Sequence, residues 1–156
     1  YGNAFGMRVW FFDPYVEVGA EAAEKLANLT ELAALSDVIS IHAPANDETR
    51  HLIDGGFFAA CRPGAVLINT ARGELVDEAA LLAALDEGRL AGAALDVLDG
   101  EYEPGFEAAE HALVAYARSH RNLLLTPHIG GSTEDAWRET QRHVIERAIA
   151  HFAGPD

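Results

Sequence analysis

Basic residues are scarce in this 156-residue chain: 11 Lys and Arg stand against 25 Asp and Glu, a formal charge of −14. Such a balance repels nucleic-acid phosphates and anionic membranes, so neither is expected as a partner. An anionic ligand would need a local device, one well-placed Arg or a helix N-terminus. Cysteine is nearly absent too. Cys61 stands alone, which excludes an internal disulfide and suits a reducing, cytoplasmic compartment. No apolar run is long enough to span a bilayer, and no charged-then-apolar leader is legible at Tyr1. There is no Cys/His cluster and no H-E-x-x-H pattern, and His143 and His151 stand eight apart on one helical stretch, so no metal site is expected. Finally, no two of the 14 glycines are separated by one residue, so the phosphate-binding pattern G-x-G-x-x-G occurs nowhere.

What is present is a single-domain length with 49% apolar residues, enough to bury a core. Strand-like and helix-like segments alternate. Strands are expected over 7–12 ("MRVWFF"), 24–27, 38–42 ("VISIH"), 65–69 ("AVLIN"), 90–96 and 123–126. Helices are expected over 30–35, 54–61, 77–87 and 133–152, with Asp77 and either Ser132 or Thr133 as caps and Gly88 as a stop. Residues 101–122 read as a longer, partly helical excursion. Strands apolar on both faces and joined through helices imply an α/β fold, a parallel sheet covered on both sides.

In such sheets ligands sit beyond the carboxyl ends of the strands. That rule collects Asp13, residues 42–44, residues 69–73, Asp96 and residues 126–131 as polar or Gly-rich groups that should converge. Asp13 could accept hydrogen bonds from ribose hydroxyls, although an Asp-Pro pair taken alone is a turn. Arg72, on a strand-end turn beside Gly73, can hold a carboxylate in two parallel hydrogen bonds, or be a surface Arg. His128 ends "LLLTPH" against the bare backbone of Gly130 and Gly131; a lone His there is commonly a turn residue. Together Arg72, a Glu and His128 make a coherent machine for hydride transfer to a 2-keto acid. The Arg binds the carboxylate and helps polarise the carbonyl, and the His delivers a proton to the developing alkoxide. A carboxylate partner raises the imidazole pKa and keeps it charged, while the hydride needs a cofactor. A Ser132–His128 nucleophile pair is the weaker idea, since Ser132 suits a helix cap.

"INTARGELVDEAALLAALDEGRLAGAALDVL" followed by "LLLTPHIGGST" resembles the NAD-dependent D-isomer-specific 2-hydroxyacid dehydrogenases, above all their phosphoglycerate-dehydrogenase-like branch. "FGMRVWFFDPY" and "DVISIHAPANDETRHLID" are similar to other stretches of the same domain. The resemblance implies a Rossmann-type doubly wound sheet, catalytic Arg72 and His128, and a Glu partner five positions after Asp96, which is Glu101. Glu103, directly before Pro104, is the competing assignment. It also implies NAD contacts at Asp13, Ala43, Thr70, Ala71, Arg72, Asp96, His128, Gly130 and Gly131. Against the family pattern, residues 1–156 are expected to form a partial NAD-binding domain lacking its first strand, its glycine loop and the substrate domain. Alone, such a piece should not turn over. The intact parent is expected to be a homodimer acting on a small 2-keto or 2-hydroxy acid. The other reading is a dinucleotide-sensing interaction module of the corepressor type, without turnover.

Overall fold

Short apolar runs bounded by Pro, Gly and Asp become parallel strands. A computed structural model describes residues 1–16 and 23–153. Strands β1 (Val9–Phe11) and β2 (Ala23–Lys25) pair in parallel as a two-stranded unit. Strands β3 (Val38–Ile41), β4 (Ala65–Asn69), β5 (Leu90–Leu95) and β6 (Leu123–Leu125) form a parallel four-stranded sheet in that order. The expected strands are therefore present, trimmed by one or two residues at half of their ends, but they build two ladders and not one. Among the described residues no hydrogen-bonded ladder joins β1 to β3.

Helices α1 (Leu29–Leu35), α2 (Gly55–Ala60), α3 (Glu78–Asp86), α4 (Ala112–Ala117) and α5 (Glu134–Ala153) supply the crossovers and the C-terminal arm. Their starts follow side-chain chemistry: Asn28, Asp54 and Asp77 each accept a backbone N–H three residues on. Of the two candidate caps for α5, Thr133 does the work, its Oγ1 accepting the Ala136 N–H at 3.1 Å. The excursion over residues 101–122 condenses into a 3-10 turn (Ala108–Glu110) and α4.

The core lies between the four-stranded sheet and helices α1 to α4. Leu67, Leu75, Leu81, Leu90 and Leu113 are completely buried in it. Strand β5 is built of small residues, and a Cβ on Gly92 would sit 3.0 Å from the Asn122 carbonyl, so side-chain bulk is excluded there. Register then fixes the functional edge. Ile41 pairs with Asn69, Asn69 with Leu95, and Leu95 with Leu125. The chain segments that leave β3, β4, β5 and β6 therefore start from one level, side by side.

Candidate active site

Asn69, the last residue of β4, is 1% exposed and shapes the turn that follows. Its side-chain N–H donates to the Arg72 carbonyl at 2.8 Å, and its side-chain oxygen accepts the Ala71 N–H at 3.0 Å. A buried amide satisfied in this way holds Thr70, Ala71 and Arg72 in one conformation. The Arg72 side chain is exposed, with one N–H donated to the Ala71 carbonyl at 2.6 Å. Among the described residues no carboxylate pairs with it. The guanidinium is thus free to meet an external anion.

At the neighbouring strand end, buried Asp96 organises the loop after β6. Its Oδ1 accepts from the Thr126 hydroxyl at 2.5 Å and from the Ile129 N–H at 3.0 Å, and its Oδ2 accepts the Gly130 N–H at 2.8 Å. Burial works against the Asp96 charge, but these hydrogen bonds and nearby His128 outweigh it and hold the carboxyl below its ordinary range. The bareness of Gly130 has a local reason, because a Cβ there would lie 3.0 Å from Asp96 Oδ2. Gly131 faces open space.

Between these segments sits His128, in the left-handed region at φ 52°. Its Nδ1 lies 2.5 Å from Glu101 Oε1, with the two side chains 28% and 16% exposed. Tyr102 approaches the same nitrogen, its hydroxyl 3.1 Å away and its ring centroid 5.6 Å from the imidazole. Both contacts use Nδ1, so among the described residues Nε2 has no partner and can face a substrate. Glu103 points elsewhere: its N–H donates to the Gly100 carbonyl at 2.8 Å, and its carboxylate lies beside Gly100. Ser132 donates its hydroxyl to the His128 carbonyl at 3.3 Å and so takes no nucleophilic geometry.

At the far side, Asp13 Oδ1 accepts the Tyr15 and Val16 N–H groups at 2.8 and 3.1 Å, which makes the Asp-Pro turn. Asp13 Oδ2 makes no hydrogen bond among the described residues. Ala43 and Ala71 are half-buried against the core, and Thr70 is exposed at the edge. Tyr102 carries no local sequence signal, and Asn69, which the strand-end rule collects with residues 70–73, shows no sign in the sequence that it is the buried clamp of the turn.

Residues 1–130 match the family described as "D-isomer specific 2-hydroxyacid dehydrogenase, NAD binding domain". The chain belongs to this family. It is 40% identical over 136 residues to a D-lactate dehydrogenase of Treponema pallidum, covering 84% of this chain and 41% of that protein. With a D-3-phosphoglycerate dehydrogenase of Bacillus subtilis it shares 37% identity over 156 residues, 97% of this chain and 28% of that one. The solved D-isomer specific 2-hydroxyacid dehydrogenase of Lactobacillus delbrueckii ssp. bulgaricus, in an NAD-complexed form, superposes with a TM-score of 0.82 at 29% identity, over 99% of this chain and 50% of that one. The chain therefore spans well under half the length of the curated relatives it matches, and what it carries is NAD-binding, Rossmann-type domain.

Proposed function

We propose that this chain is the cofactor half of an NAD-dependent dehydrogenase that interconverts a small 2-keto acid and the D-2-hydroxy acid. The observation that carries the proposal is His128, held on Nδ1 by Glu101 with Nε2 left open, at the strand-end edge that also presents unpaired Arg72. NAD, when bound, supplies the hydride chemistry. In reduction, Arg72 grips the substrate carboxylate and helps polarise the carbonyl. Protonated His128, its imidazolium charge offset by Glu101, gives its Nε2 proton to the carbonyl oxygen and is left neutral. In oxidation the neutral imidazole takes the hydroxyl proton back.

Ala43, residues 70–72, Asp96 and the bare Gly130–Gly131 backbone suit the body of the cofactor, and Asp13 Oδ2, without a hydrogen bond among the described residues, suits a ribose hydroxyl. A 2′-phosphate at Asp13 would meet a like charge, so NAD should be preferred over NADP. The full-length protein, supplied with NADH and a panel of small 2-keto acids, should oxidise NADH with at least one of them. Failure with every member, under conditions where NADH binds, would remove the catalytic reading. The corepressor-type alternative gains no support from the relatives above, which are dehydrogenases. The intact protein is taken to be a cytoplasmic homodimer, and light scattering at a single protomer mass would overturn the dimer.

A further inference from the structure

Glu101 does not stand on its own. Its N–H reaches the Leu98 carbonyl, and its Oε2 accepts the Leu98 N–H, each at 3.4 Å, so the carboxylate leans on the backbone of residues 98–99. That backbone is gripped from the other side by the segment that follows Arg72. Gly73 lies so close that a Cβ there would fall 2.0 Å from the Leu98 carbonyl carbon and 2.2 Å from the Asp99 nitrogen. Five residues on, in the first turn of α3, Glu78 Oε1 accepts the Asp99 N–H at 2.9 Å. Its other oxygen, Oε2, lies 3.1 Å from His111 Nε2, with both side chains less than one-fifth exposed.

We propose that Glu78 is a positioning residue for the acid–base pair, holding the Asp99 N–H on one oxygen and His111 on the other, and so fixing where Glu101 meets His128. The proposal rests on the dehydrogenase reading for its purpose, but not for its geometry. Among the described residues the buried His111 Nδ1 has no partner. A proton on that atom would be a stranded donor, whereas a bare lone pair costs less, so the ring donates from Nε2 to Glu78. Asp99 completes the cluster, its carboxylate 3.2 Å from Arg50 and 3.6 Å from His51. Burial pushes the Glu78 carboxyl up from its ordinary range, with the Asp99 N–H and then His111 pulling it back and the Asp99 charge pushing with burial. A carboxylate kept in such surroundings by an N–H and an imidazole has a structural task. Here the task ends at the reacting His.

The test uses the full-length protein, 15N-labelled at histidine, and 1H–15N spectra of the His128 ring at alkaline pH. Glu101 accepting from Nδ1 favours the tautomer protonated there, and Glu101→Ala sets the reference for its loss. Glu78→Asp keeps the charge but shortens the reach, and should move His128 measurably toward the Nε2–H tautomer. Glu78→Gln keeps the reach and an acceptor for Asp99 but turns an amide N–H toward the His111 Nε2–H, and should give a loss like that of His111→Phe. His111→Phe, which preserves the packing against Phe106, should give a smaller loss and serves if Glu78→Asp does not fold. An unchanged His128 tautomer in folded Glu78→Asp, or in His111→Phe if that is the variant that folds, overturns the proposal. In the full-length enzyme Glu78→Asp should lower kcat on the order of tenfold or more, with KM for the keto acid less affected. If the tautomer responds but no 2-keto acid turns over, the positioning stands and the dehydrogenase reading falls.

Discussion

Two side chains compete for one nitrogen of His128, and they are not equal. Glu101 at 2.5 Å offers a charged acceptor, while the Tyr102 hydroxyl at 3.1 Å is neutral and mostly exposed. Charge-assisted bonds are roughly twice as strong, so Glu101 is the partner that orients the ring. On the dehydrogenase reading, Glu101→Gln in the full-length protein should lower kcat by about 10²-fold, the usual scale for an acid–base partner, and Glu103→Gln should change it little. Steady-state rates with a responsive 2-keto acid check both, and the reverse order would hand the role to the residue before Pro104. At Arg72 the matter is geometry. Arg72→Ala should reduce kcat/KM by roughly 100-fold, and Arg72→Lys should recover little, because a point charge cannot replace a planar fork. A Lys variant near wild-type efficiency would make Arg72 a surface residue. Cys61 stands apart from this chemistry. Burial pushes its thiol up to about 11, against the opposing charge of Arg89. It should resist alkylation at pH 8 in the folded chain and react at once in denaturant, which a thiol assay reads directly.

At the scale of elements, the loop after β6 is ordered by one carboxylate from β5. Asp96→Ala would strand three donors near a buried site and should destabilise the fold by about 3 kcal/mol at pH 7. The sign with pH follows from the direction of its shift. The folded Asp96 pKa lies below the unfolded one, so its contribution is full above the ordinary carboxylate range and fades as pH falls through the folded value. Urea melts of wild type and Asp96→Ala should therefore differ most near neutrality and converge in strong acid. This clamp also marks how far the sequence could be read. "AVLIN" was legible as β4 because apolar β-branched residues run between Pro63-Gly64 and a polar turn, and Asp77 announced α3 by its capping chemistry. The alignment of strand ends followed from the parallel-sheet rule. What stayed illegible depends on long-range contacts: Asp96 gripping residues 34 positions on, Gly73 touching Leu98, and Tyr102 reaching a His 26 positions away. No local period encodes such meetings. Helix α5 shows the same limit from the other side. Trp137, Val144, Ile145, Ile149 and Phe152 fall on one side at helical spacing, yet all are more than half exposed.

Within these 156 residues the described strands form two ladders, and they differ in how deeply they are rooted. The four-stranded sheet carries the main core cluster, which takes no member from β1 or β2. The β1–β2 pair is half-buried, and a two-stranded unit without a face of its own to bury is marginal in water. Opening free energies within one chain can then diverge. Amide hydrogens of β4 and β5 should exchange with solvent deuterium only on global unfolding, whereas those of β1 should exchange through a cheaper, local opening. Asp13, at the end of β1, belongs to the loosely held part, while Arg72 and His128 belong to the firm one. A dinucleotide that reaches from Asp13 to His128 would act as a strap between the two.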